Sequence, residues 1–89
     1  MEIYCRASAG TLESSDAYVE IEPGSGAVDV QIQSVVADQF GTQIERAVRE
    51  VLSECGVKNA NVRVVDRGAL ECVLRARVET AVKRGKEQV

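Results

Sequence analysis

From Ala17 to Glu22 apolar and polar residues alternate, with Ala17, Val19 and Ile21 on one side and Tyr18, Glu20 and Glu22 on the other. A period of two belongs to a strand with one face in a core and the other in water. Pro23-Gly24-Ser25-Gly26 follows, a reversing turn by composition. From Ala27 to Gln33 the alternation resumes, Val28, Val30 and Ile32 opposing Asp29, Gln31 and Gln33. Two such runs around one turn predict a hairpin with a wet face. The period then lengthens. Ile44, Val48, Val51, Leu52 and Cys55 recur at helical spacing opposite Glu45, Arg46, Arg49, Glu50 and Glu54, and Gly56 supplies a stop. Two starts fit this helix: Ser34 can cap a first turn that loosens at Gly41, or Thr42-Gln43-Ile44-Glu45 forms a capping box. Asn61 to Asp66 is again a strand, with Val62 and Val64 facing one way and Arg63 the other, broken by Asp66-Arg67-Gly68. Leu70, Val73, Leu74, Val78, Ala81 and Val82 predict a second amphipathic helix whose basic end, Lys83 and Arg84, suits the helix dipole.

The expected order is therefore β-β-α-β-α. It predicts an α+β fold, a small two-layer sandwich in which a three-stranded sheet carries two helices packed on one face. The helix between the second and third strands asks for a right-handed crossover if those strands are parallel. The expected division is a flexible N-terminal segment over residues 1–16, a single domain over 17–84 and a disordered tail over 85–89. Phe40 reads as a core anchor.

Composition narrows the class. Eighty-nine residues, 45% hydrophobic and 28% charged, suit one small globular domain. No stretch approaches the roughly 20 apolar residues of a membrane span, and no apolar run follows Met1 to Cys5 as a signal peptide requires. A cytoplasmic protein is expected. The net charge of −3 argues against nucleic acid and fits docking on basic protein surfaces, while three aromatic residues are too few for a base-stacking platform. Cys5, Cys55 and Cys72 show no C-x-x-C spacing, and with no histidine in the chain they predict reduced thiols and no metal site. Cys55 continues a helical stripe and reads as a small buried hydrophobe.

The candidate chemistry lies ahead of the first predicted strand, in Gly10-Thr11-Leu12-Glu13-Ser14-Ser15-Asp16. A catalytic serine needs a base, usually histidine, and Ser14 has only Glu13 and Asp16 nearby. An exposed hydroxyl bracketed by charges is better suited to being modified than to attacking a substrate. The plainer reading, weightier on composition alone, is ordinary turn chemistry, with Ser and Asp side chains bonding nearby backbone.

Three blocks shift that balance. AGTLESSD from Ala9 to Asp16, DVQIQSVVADQFGTQIERAVREVL from Asp29 to Leu52 and DRGALECVLRAR from Asp66 to Arg77 are similar, in order and spacing, to the acyl carrier protein, or gamma subunit, of bacterial citrate lyase. The resemblance covers about residues 9 to 82. It implies a carrier rather than an enzyme, a phosphoprotein of citrate fermentation whose Ser14 holds 2'-(5''-phosphoribosyl)-3'-dephospho-CoA through a phosphodiester. The thiol of that group would carry acetyl, which the alpha subunit, an acyl transferase, exchanges for citryl; the beta subunit, a lyase, would release oxaloacetate and restore the acetyl carrier. Glu13 and Asp16 would be recognised by the transferase that attaches the group. The family motif reads Ser-Gly-Asp where this chain has Ser14-Ser15-Asp16, which makes Ser15 a second candidate for attachment. A serine in a turn before a strand also differs from the all-helical carriers of fatty-acid synthesis. Two alternatives stand beside this reading: the carrier subunit of malonate decarboxylase, with the same type of group, and a non-catalytic protein interaction domain.

Overall fold

Six elements follow one another in the computed structural model, which describes residues 2–87: β1 (Ala7–Gly10), β2 (Ala17–Glu22), β3 (Val28–Ser34), α1 (Ala37–Glu54), β4 (Ala60–Asp66) and α2 (Glu71–Gly85). The strands form one sheet in the order β1-β2-β4-β3. The expected three-stranded sheet is thus corrected to four strands. The added strand is Ala-Ser-Ala-Gly, too short and too poor in β-branched residues to show an alternation. It exists because β2 pairs with it antiparallel, from Ala7 opposite Ile21 to Gly10 opposite Tyr18.

The predicted hairpin of β2 and β3 does not form. β4 lies between them, antiparallel to β2 and parallel to β3, with Val28 opposite Ala60 and Ser34 opposite Asp66. Burial explains the order. Ala60, Val62, Val64 and Asp66 on β4 are all buried, whereas the inward residues of β3, Val28, Val30 and Ile32, are half-buried. The strand with the most completely buried row takes the centre, and β3 becomes an edge reached through α1, as a parallel pair requires. The real hairpin is β1–β2, and its loop is residues 11–16.

Both helices cover one face. Ala17, Val19 and Ile21 from β2 and Val62 and Val64 from β4 meet Ile44, Ala47, Val48, Val51 and Leu52 from α1 and Leu74, Val78, Ala81 and Val82 from α2. Ile3 joins this core, and the Tyr4 and Cys5 N–H groups donate to the Gly85 carbonyl at 2.8 and 3.1 Å. The chain ahead of β2 is therefore tied to both layers. The other face of the sheet is wet and charged, with Glu20 between Arg6 at 3.1 Å and Arg63 at 3.4 Å. Burial alone would raise the Glu20 carboxyl, but hydrogen bonds from Arg6 and Tyr18 and the charge of Arg63 outweigh it and lower its pKa.

The capping box does not form. α1 starts at Ala37, five residues before Thr42, and runs through Gly41; Val36 is its N-cap and makes no side-chain cap bond. Ser34 instead accepts the Val36 N–H at 3.1 Å, just ahead of the helix. The early start carries Phe40 past the end of the sheet, where it is 45% exposed and not a core anchor. Leu70 is likewise 71% exposed because it is the N-cap of α2 and not part of its stripe. Cys55 is half-buried, and desolvation, reinforced by Glu79 and Glu54, pushes its thiol up. Of the expected tail, Gly85 closes α2, while Gln88 and Val89 lie outside the described residues.

Gly10 and Gly68 separate two reasons for a glycine. Their φ angles are nearly the same, 92° and 91°, yet a Cβ on Gly10 would lie 1.8 Å from the Ala17 carbonyl oxygen, whereas one on Gly68 meets nothing within 4 Å. Both alanine variants meet the conformational cost of about 1–3 kcal/mol. Gly10→Ala adds the collision, so urea unfolding should show it losing at least about 1 kcal/mol more than Gly68→Ala.

Candidate functional site

The β1–β2 loop closes over the end of the sheet at which β3 and β4 finish and both helices begin. The local chain has little choice there. Gly10 leaves β1 with positive φ because its Cα passes against the Ala17 carbonyl. The Thr11 hydroxyl then accepts the Glu13 N–H at 3.2 Å, and the Asp16 N–H donates to the Glu13 carbonyl at 3.2 Å, which closes a turn over Glu13-Ser14-Ser15-Asp16. Ser15 takes the left-handed conformation that this turn demands, φ 66°, and no other non-glycine described residue has positive φ.

Tertiary bonds hold the turn from outside. Ser15 N–H donates to the Arg67 carbonyl at 2.8 Å, and Arg67 N–H donates to the Asp16 carbonyl at 2.9 Å, which continues the β2–β4 pairing beyond Ala17 and Asp66. Asp16 makes the other anchor. Arg77 on α2 donates Nε to Oδ1 at 3.0 Å and its terminal nitrogen to Oδ2 at 2.9 Å, a paired fork. The Thr11 hydroxyl adds a bond to Oδ2 at 2.7 Å and the Ala17 N–H one to Oδ1 at 2.7 Å. The Arg77 bonds, then those from Thr11 and Ala17, hold the Asp16 carboxyl far below the ordinary carboxylate range, outweighing its partial burial. Asp16 in turn raises Arg77.

A second carboxylate braces the ground beneath. Asp66, 3% exposed, accepts the Ser34 hydroxyl at 2.8 Å and the Ala69 N–H at 3.0 Å. It thereby ties the β3–α1 junction to the β4–α2 junction. Beside it a groove runs between the helices, lined by Val36, Phe40, Ile44, Ala47, Ala69 and Leu74. Leu12, Val35, Phe40 and Leu70, four large exposed apolar side chains, all belong to this end of the sheet.

The three residues singled out in the sequence come together here with different surroundings. Ser14 is exposed, and its hydroxyl has no hydrogen-bond partner among the described residues. Glu13 is exposed beside it. Asp16 turns inward, its side chain 14% exposed. Sequence reasoning missed Arg77 and Asp66. Arg77 lies three residues after Leu74 and four before Ala81, on the inward side of α2, where a cation needs an anion; that was the available signal. Among the described residues no group of three or more His, Cys, Asp or Glu is placed to hold a metal, and no helix is long and apolar enough to cross a membrane.

Known proteins share both sequence and fold with this chain. Residues 5–85 match the family described as malonate decarboxylase delta subunit (MdcD). A citrate lyase acyl carrier protein of Klebsiella pneumoniae is 54% identical over 89 residues, covering 99% of this chain and 92% of the relative. One from Haemophilus influenzae is 52% identical over 88 residues with the same coverage. Among solved structures, a chain of a Pseudomonas malonate decarboxylase hetero-tetramer, in complex with malonate, superposes with a TM-score of 0.76 at 22% identity, over 94% of this chain and 87% of that one. At that identity the likeness is one of fold.

Two measurements test the turn. Asp16 stays ionised in the folded chain where an unfolded carboxylate, with pKa about 3.9, is already binding a proton, so its contribution is present above that value and lost as pH falls through the lower folded one. Stability should therefore rise with pH across the region below about pH 4, and Asp16→Asn should flatten that slope in acid unfolding curves. Ser15→Gly, which removes a left-handed serine at the entropic cost of a glycine, should change stability by less than about 1 kcal/mol. Ser15→Val should lose about 2 kcal/mol, read from the same curves.

Proposed function

The chain belongs to the citrate lyase acyl carrier protein family, and we infer from that premise that Ser14 is the residue through which it carries its acyl group. The observation that supports this assignment is the exposed Ser14 hydroxyl, without a hydrogen bond among the described residues, at the outer corner of a turn anchored on both sides. An ester to phosphorus needs an oxygen that is open on its outer side and not committed to the fold. Ser14 meets both conditions. The Ser15 hydroxyl meets them as well, so the choice of Ser14 leans on the family motif, beside a Ser15 backbone held in the left-handed conformation and bonded to the Arg67 carbonyl.

The residues present fit a group of the phosphoribosyl-dephospho-CoA type, held covalently by the Ser14 oxygen. When bound, that group supplies a thiol on which acetyl or citryl travels as a thioester. The chain's own contribution is position. It fixes the root of the arm at the apolar-rimmed end of the sheet, where Leu12, Val35, Phe40 and Leu70 give surface for an approaching protein. The proposed partners are the alpha acyl transferase and the beta lyase subunit, visited in turn by one tether that keeps the substrate at high local concentration. A prosthetic-group transferase loads the arm and reads Glu13, exposed next to Ser14. The carrier itself is non-catalytic: no histidine exists in the chain and, among the described residues, no base is bonded to the Ser14 hydroxyl. Its setting is the cytoplasm, where Cys5, Cys55 and Cys72 remain thiols.

Malonate decarboxylase is the second reading, favoured by the family description and the shared fold. Identity of 54% to a citrate lyase carrier against 22% to the malonate decarboxylase chain weighs toward citryl.

Intact-mass spectrometry of the protein from its native host, with fragmentation of the peptide spanning Ser14 and Ser15, should place one large adduct on Ser14. Ser14→Ala should unfold at the same temperature as wild type, carry no adduct and leave the reconstituted complex without citrate cleavage. Normal cleavage by that variant would overturn the assignment, and an adduct on Ser15 would move it by one residue.

A further inference from the structure

We propose that Arg77 is a positioning residue for loading of the carrier: from α2 it holds Asp16 so that the turn presents Ser14 in the one conformation the attaching transferase accepts. The proposal rests on the reading of Ser14 as the attachment residue and extends it to a residue more than 60 positions away, |i−j| being 61 for the Arg77–Asp16 bond.

Four observations carry it. First, the Asp16 carboxylate is fully used inside the chain. Its two oxygens offer about four acceptor positions, and four donors fill them: Arg77 Nε and Ala17 N–H on Oδ1, the Arg77 terminal nitrogen and Thr11 Oγ1 on Oδ2. An acid so engaged is poorly placed to be read by a partner, so its contribution to recognition is the shape it imposes. Second, the serines cannot impose that shape themselves, since neither hydroxyl is bonded among the described residues. Third, the way for the arginine is kept open. A Cβ at Gly10 would lie 3.1 Å from Arg77 Cδ, so the glycine that lets the loop leave β1 also gives the arginine stem its passage to Asp16. Fourth, the fork is specific to arginine. A planar guanidinium spans both carboxylate oxygens, whereas a lysine ammonium is a single point.

A six-residue polar loop without this clasp samples many conformations, and a transferase that accepts one of them sees its apparent affinity reduced by the fraction in the competent state. Removal of the clasp should therefore raise KM for loading and leave kcat nearly unchanged. A general loss of stability would raise KM in the same way, but it would accelerate exchange throughout the chain, the central strand included, so the exchange pattern tells the two apart.

The experiment measures transfer of the prosthetic group from its activated precursor to the full-length apo chain by the attaching transferase, alongside amide hydrogen exchange. Arg77→Ala should raise KM about tenfold with kcat within about twofold of wild type. Exchange should accelerate at the Ser15 and Asp16 amides and stay at wild-type values at Val62 and Val64 in the central strand. Arg77→Lys, which keeps the stem and the charge but not the fork, should fall between the two, and it carries the test if Arg77→Ala does not fold. Loading of either variant with wild-type KM, or unchanged exchange at Ser15 and Asp16, overturns the proposal while the Ser14 reading stands. Wild-type chain loaded at Ser15, or at neither serine, overturns the Ser14 reading and the proposal with it, and the wild-type digest shows that before any variant is compared.

Discussion

The structure depends on the burial of one strand along both of its edges and one of its faces. β4 offers Ala60, Val62 and Val64 to the helices, each no more than 2% exposed, and its backbone is satisfied by β2 on one side and β3 on the other. Such side chains each gain roughly 1–3 kcal/mol on leaving water, and unpaired backbone groups among them would cost a comparable amount, so the two neighbours are obligatory. Sheet order follows. With β4 in the middle, β2 and β3 cannot meet, β2 turns its free edge to β1, and the 11–16 loop becomes a hairpin connection instead of a leading segment.

The inward row of β4 ends on a charge, and that ending turns a core strand into the floor of the candidate site. Asp66 is buried, but each of its oxygens has a donor, Ser34 for one and Ala69 N–H for the other, as a buried carboxylate requires. One side chain thus fixes where α1 and α2 start. α2 then fixes Arg77, Arg77 fixes Asp16, and the serine turn inherits a position set by the core although every one of its own residues from Thr11 to Ser15 is exposed.

What was legible in the sequence was whatever a single element decides. The alternation in β2, the stripe of α1 and the Gly56 stop are local, and the structure has them. What depended on a partner was not. β1 has almost no propensity of its own and exists through β2. Gly10 looked like a turn residue and is also a point of close approach. Thr42 and Glu45 satisfy the rule for a capping box, but the chain after Ser34 is already placed by Asp66, so the helix begins at Ala37 and the local rule loses to the junction. Phe40 follows from the same shift, since an early helix start projects its first turn beyond the sheet. At the candidate site the motif singled out one turn, and it was silent on which carboxylate faces outward. Glu13 and Asp16 flank the serines alike in sequence; only the arrival of Arg77 distinguishes them.

A carrier has two opposed requirements, and under the proposed attachment the arm and the turn meet one each. Delivery to successive active sites needs reach, which a long flexible arm supplies. Recognition by a loading enzyme needs order, because every conformation the turn samples beyond the accepted one dilutes binding. If the turn itself supplied the reach, it would have to be ordered anew at each encounter. With the proposed attachment at Ser14, the anchored hairpin separates the two tasks: mobility would begin at the Ser14 oxygen, while the turn on the protein side of that atom is tied through Asp16, Arg67 and Arg77 to the buried sheet. On this reasoning the left-handed Ser15 is the hinge point of the design. It turns the chain sharply enough that the residue before it projects outward while the residue after it points in, so that, with attachment at Ser14, two positions of one short motif would serve reach and order at once.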